Sequence, residues 1–180
     1  MQIRLLAENQ ARDSIPALSA LLVDAVESGA SMGFMSPFTV EESTAFWDGV
    51  VAAVVGGTTA LLAAVENDVI EGSVQVKFVP MANQRHRVDI SKLLVHRSAR
   101  GRGISSQLMR AAEDVTREAG RYLMVLDTAT GSLADLIYPH LGWQRSGVIP
   151  NYALNPDGSM CDTTFYWKDL REAGGSHAPQ

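Results

Sequence analysis

A chain of 180 residues, 46% of them hydrophobic, is long enough to bury one proper core and suits a single domain. No apolar run approaches the ~20 residues of a membrane span, and the opening Met1-Gln2-Ile3-Arg4 lacks the order of a secretory leader, so neither membrane insertion nor export is expected. The net charge of −5 argues against non-specific nucleic-acid binding, and the lone Cys161 leaves no disulfide framework, as suits a reducing cytoplasm.

Gln2 to Ala7 reads as a first strand, with Ile3, Leu5 and Ala7 on one face. Asp13 or Ser14 can cap a helix that carries Pro16 in its first turn, where a missing N–H costs little. Ile15, Leu18, Leu22, Ala25 and Val26 then share one helical face. Ser28 to Pro37 is a loop of Gly, Ser and Met without periodicity; its Met32, Phe34 and Met35 read either as packing residues or as contacts to a bound acceptor. Thr39 and Glu42 have capping-box spacing, and Phe46, Val50 and Val54 extend that helix to Gly56-Gly57.

Three strands follow. Thr59 to Glu66 turns at Asn67-Asp68; in Val69 to Val79, Val74, Val76 and Phe78 alternate with Ser73, Gln75 and Lys77; the third runs from His86 to Val95. From Ile104, an apolar stripe of Leu108, Ala111, Ala112, Val115 and Ala119 makes a helix that stops at Gly120. Arg121 to Leu126 is a buried strand with Asp127 at its end. Ser132 with Asp135 caps the next helix, which ends near Leu141-Gly142. Trp143 to Ile149 and Thr163 to Lys168 are the last strands, joined through Asn155-Pro156-Asp157-Gly158. The order is mixed α/β, a single domain over residues 1–173, with Gly174 to Gln180 read as a disordered tail.

The most informative stretch joins the fourth strand to the helix after it: Arg100-Gly101-Arg102-Gly103-Ile104-Ser105-Ser106. Backbone N–H groups of a glycine-rich loop, pointing the same way as a helix start, form an anion site, and arginine forks suit phosphate oxygens. A nucleotide P-loop would need a Gly-Lys-Ser/Thr ending, which is absent. A dinucleotide site fits Gly101 and Gly103 and the later Asp127, but Ser106 stands at the third glycine position. An ordinary turn with solvated Arg97, Arg100 and Arg102 fits the same spacing, so spacing alone leaves the choice open.

The same run resembles the acyl-CoA loop of the GNAT family of N-acetyltransferases, Arg/Gln-x-x-Gly-x-Gly/Ala, with Ser105 in place of the last small residue. Ala134, Ile137-Tyr138 and Leu141-Gly142-Trp143 resemble a later helix of that family, with Gly131 where an asparagine often stands. Within the family the chain is most similar to the tabtoxin-resistance acetyltransferases, through Gly29-Ala30-Ser31-Met32-Gly33-Phe34-Met35, Lys92-Leu93, Leu126-Asp127-Thr128 and Pro156-Asp157-Gly158.

The resemblance implies a central, mostly antiparallel sheet flanked by helices and splayed between strands four and five. It implies acetyl-CoA as cosubstrate, its pantetheine arm along Leu93, Leu94 and Val95 and its pyrophosphate at Arg100, Gly101, Arg102, Gly103, Ile104, Ser105 and Ser106. It implies direct attack by an amine of a small molecule, such as an amino-acid-like antibiotic or toxin, in a monomer or homodimer without nucleic-acid or membrane partners. Phe34, Met35 and Asp127 fall on the acceptor side. An alkyl ammonium near pKa ~10 must lose a proton before it attacks. Asp127 is assigned as its anchor and Asp89 as a base acting through water, although a strand-end cap and a surface charge are the plain alternatives. Tyr138 is the implied proton donor to the departing thiolate. A phenol near ~10 is a weaker acid than a thiol near ~8.5, so hydrogen bonding to the developing charge is the larger part of that role. An acyl-CoA-binding sensor with a degenerate site is the second reading, favoured by Ser105 and Gly131. His86, His96, His140 and His177 lack metal-ligand spacing, so no metal is expected.

Overall fold

In the computed structural model, which describes residues 1–171, one sheet is covered by helices on both faces. The elements in chain order are β1 (Gln2–Leu5), α1 (Glu8–Asp13), α2 (Ile15–Glu27), α3 (Val40–Val55), β2 (Thr59–Glu66), β3 (Val69–Phe78), β4 (Arg87–Val95), α4 (Ile104–Glu118), β5 (Leu123–Ala129), α5 (Leu133–His140), β6 (Gln144–Leu154) and β7 (Met160–Asp169). The seven strands lie in the order β1-β2-β3-β4-β5-β7-β6, all neighbours antiparallel except β4 and β5. The tail assigned to Gly174–Gln180, and the end of the 1–173 domain, lie outside the described residues.

Two-sided covering explains the sequence pattern. Val74, Val76, Val88, Ile90, Met124 and Leu126 pack under α4 and α5, while Leu61, Ala63 and Val65 pack under α1, α2 and α3. β2 is therefore apolar without alternation, as a strand buried on both faces must be. Ser73 and Gln75, which alternation assigns to the polar face of β3, are fully buried, because that face lies under helices rather than water.

Thr39 and Glu42 close the capping box: Glu42 N–H donates to Thr39 Oγ1 at 3.1 Å, and Thr39 N–H to Glu42 Oε2 at 2.8 Å. The start of α2 differs from expectation. A short helix, α1, precedes it, and Ser14 makes no side-chain cap; its N–H donates to Gln10 O at 3.0 Å and so closes α1. α1 buries only Ala11 and shows no apolar stripe to read.

Two features of the sheet create the site. β4 and β5 pair only at Arg87 with Leu123, Val88 with Met124 and Asp89 with Val125, and separate beyond that point. β4 is also irregular against β3: Ser91 faces Gln75, but Leu94 faces Ser73, so Lys92 and Leu93 together oppose Val74. Lys92 sits at φ +52 in this bulge. A bulge bends its strand and increases the local twist, which turns the end of β4 away from β5. The paired end is held by Arg121, which donates to the carbonyls of Val79 and Arg87 at 3.0 and 2.8 Å.

Candidate active site

The separation of β4 from β5 leaves a groove of about 750 Å³. One wall is Leu93, Leu94 and Val95 with the loop from Ala99 and the start of α4; the other is Thr128 and Ala129 of β5 with Ile137 of α5 and Leu141 just past its end. The end of α2 and the loop as far as Met32 close a third side.

The loop after β4 is built to expose backbone. His96 opens a 3-10 turn, its Nδ1 2.8 Å from Ser98 Oγ, and Arg97 is clamped on the Asp24 carboxylate of α2. Gly101 and Gly103 then take left-handed backbones at φ +77 and +72, and a Cβ on either would meet nothing within 4 Å. α4 starts there without a side-chain cap and without an acidic residue in its first turn, so the N–H groups at its positive end are left without a capping anion among the described residues. This cradle fits a pyrophosphate. Gly101, Gly103, Ile104, Ser105 and Ser106 all line the groove, as does Arg100, whose Nε donates to Val95 O at 3.3 Å. Arg102 does not: its guanidinium pairs with Glu66 of β2 at 2.6 Å.

Tyr138 of α5 does not itself line the groove, although its neighbour Ile137 does; it is 4% exposed and packed between Trp143 and Tyr166, with ring centres 5.8 and 5.5 Å away. Its hydroxyl bonds to no described residue, yet is not among the sealed, unpartnered atoms. Burial, then the negative charge of Asp127 and Asp135, holds the phenol well above its ordinary pKa. α5 is set by its cap: Asp135 N–H donates to Ser132 Oγ at 3.2 Å, while the Asp135 carboxylate accepts from Gly131 N–H and from Tyr166 at 2.8 and 2.7 Å. Gly131, at φ +76, is thus part of the turn that positions the tyrosine helix.

The two carboxylates differ in setting. β5 runs on to Ala129, so Asp127 is not its end; it is exposed, opposite Phe165 of β7, two residues past the last pair with β4 and therefore at the mouth of the opening. Asp89 lies within the paired segment, 45% exposed, with Arg87 Nε at 3.3 Å.

Phe34 packs on Phe38 and Phe46, with ring centres 4.4 and 5.3 Å apart. Met35 is 46% exposed and outside the groove lining. Sequence reasoning placed Lys92 in a family motif and Phe46 on a helix face, and gave neither a part in the site. Lys92 Nζ donates to Met32 O at 2.7 Å and stands 5.2 and 5.3 Å from the ring centres of Phe34 and Phe46. Burial, helped by the positive charge of Lys77 and opposed by Asp127, draws its pKa down to about 8. A lysine at a polar position of an alternating strand carries no signal of this; the bulge creates it.

A groove between splayed strands, floored by a glycine cradle at a helix start, defines an acyl-CoA transferase architecture. The model of the acetyltransferase (GNAT) family matches residues 23–136, and the chain belongs to that family. Solved structures agree in fold. An N-acetyltransferase from Staphylococcus aureus Mu50 is 21% identical with a TM-score of 0.78, over 94% of this chain and 98% of that one. The Salmonella typhimurium protein yncA, solved with its cofactor acetyl-CoA, is 22% identical with a TM-score of 0.78 over 99% of both chains. A ribosomal-protein-alanine N-acetyltransferase from Brucella melitensis is 23% identical with a TM-score of 0.78, over 94% of this chain and 100% of that one.

Proposed function

We propose that this acetyltransferase moves the acetyl group of acetyl-CoA by direct attack onto a primary amine of a small molecule. The observation that carries the reading is the opening between β4 and β5, which joins the cradle of Gly101 and Gly103 to the helix of Tyr138 with Asp127 at its mouth. Acetyl-CoA supplies an activated thioester carbonyl. Leu93, Leu94 and Val95 flank its arm, and the N–H groups from Gly101 to Ser106, with Arg100, hold its phosphates. Asp127 attracts the acceptor's ammonium, and Asp89, farther back, receives its proton through water. Tyr138 stays protonated at neutral pH and donates a hydrogen bond to the sulfur as charge develops there.

The sequence likeness to tabtoxin-resistance enzymes supports an amino-acid-like antibiotic or toxin as the acceptor and detoxification in the cytoplasm as the role. Among the described residues no helix is long and apolar enough to cross a membrane. The test is a panel of small amines with acetyl-CoA, following release of free thiol. Turnover on at least one is expected. CoA binding without turnover on any amine would make the protein an acyl-CoA sensor, and tight NAD binding with none for CoA would overturn both readings.

A further inference from the structure

Lys92 is a half-buried cation whose N–H groups are mostly unused. An ammonium has three donors; the Met32 carbonyl takes one, the faces of Phe34 and Phe46 attract the charge, and no described residue forms an ion pair with it. The charged groups acting on it are Lys77 from β3, which repels, and Asp127 from β5, which attracts. The loop after α2 and α3 itself face it only with that carbonyl and those rings. Holding a cation out of water without a counter-ion costs free energy that an arriving anion recovers. A second unused donor shares this sheet face: Gln75 is fully buried, its Oε1 accepts from Ser91 at 3.4 Å, and its Nε2 has no partner. The site also touches the groove, because Met32 lines it on one side and Thr128, next to Asp127, on the other.

Building on the reading of the protein as an amine acetyltransferase, we propose that Lys92 determines acceptor specificity by holding a carboxylate, or a like oxyanion, of the molecule whose ammonium Asp127 attracts. A cation and an anion at one mouth match a compact zwitterion and disfavour polyamines, which bring only positive charge.

The full chain is assayed with acetyl-CoA and the common amino acids, each beside its carboxamide, by thiol release, and by calorimetry with CoA present. Acids should exceed their amides in kcat/KM by roughly 10- to 100-fold, the strength of a charged hydrogen bond. Lys92→Met should remove that preference through the KM of the acid, and Lys92→Arg should keep part of it. The ratio of wild type to Lys92→Met for one acid should fall toward one as pH rises through about 8, where the ammonium discharges. A lysine with a merely structural role would not give that profile. Equal use of acid and amide by the wild type, an acid preference that survives Lys92→Met, turnover confined to amines without an acid group, or no binding of any acid would each overturn the proposal. Acid binding that depends on Lys92, with no turnover on any amine, would keep the anion site and sink the acetyltransferase reading instead.

Discussion

Replacing Gly103 with alanine separates two costs that the loop combines. Gly103 precedes α4 at φ 72 and ψ 15, a left-handed backbone where a side chain costs about 1–2 kcal/mol. In a domain of this size that lowers Tm by roughly 2–8 °C. The new Cβ would meet nothing within 4 Å, so no packing penalty adds to the strain. The space it enters is the space proposed for the pyrophosphate. Displacing a phosphate from charge-assisted N–H bonds worth ~1.5–3 kcal/mol should weaken CoA binding roughly 10- to 100-fold. Gly120→Ala is the matched control, with φ +68, the same open surroundings, and a place just past the other end of α4. It should lose a similar amount of Tm and bind CoA as the wild type does. Thermal unfolding and calorimetric titration with CoA on both variants make the comparison. If Gly103→Ala bound CoA as tightly as Gly120→Ala, the phosphates would not lie on this loop.

Further outcomes are expected at other positions. Tyr138→Phe keeps the packed ring and should lower turnover by ~10²–10⁴ while changing CoA affinity little; a loss of about two- or three-fold would mean the sulfur leaves without this hydroxyl. Since burial raises the phenol's pKa, no break from it should appear in pH–rate profiles below about pH 10. Asp127→Asn should raise the acceptor's KM, whereas Asp89→Asn should lower kcat with a loss that shrinks at high pH, where more amine is already neutral; wild-type profiles for both would leave neither role standing. Arg100→Ala should weaken CoA binding more than Arg102→Ala, whose guanidinium is engaged by Glu66, and calorimetry showing the reverse order would move the phosphates. Thr39→Ala removes the capping box of α3 and should cost about 1 kcal/mol in denaturant unfolding without altering CoA affinity.

Much of the framework was legible because local chemistry decides it. β2 begins and ends where expected, at Thr59 and Glu66, between Gly56-Gly57 and the turn at Asn67-Asp68, whose φ values are 50 and 60. The caps at Thr39 and Ser132 also read directly from spacing. What was not legible depends on distant partners. Gln75 and Ser73 read as solvent-facing until α2 and α3 cover them. Arg102 reads like Arg100 until the fold brings Glu66 beside it. Asp89 and Asp127 look alike in sequence, and only the point where β4 leaves β5 separates them. Lys92 has no spacing signature at all, because its surroundings come from a loop and a helix far earlier in the chain.

The bulge in β4 also acts as a phase inverter. Before it, the even-numbered Val88 and Ile90 face the core under α4; after it, the even-numbered Leu94 faces the core under α2 and α3, while Leu93 and Val95 pack toward α4. The strand thus carries two opposite parities joined at a single joint. Substitutions along it exchange one side chain at a time and leave both parities intact. Deleting Lys92 at the joint would instead remove the extra residue: Leu93, Leu94 and Val95 would keep their faces and their partners on β3, but the strand would run in one alternation and lose the bend that turns it from β5. One surplus residue, rather than the identity of the side chains around it, is thus what ties the strand's pairing with β3 to its parting from β5.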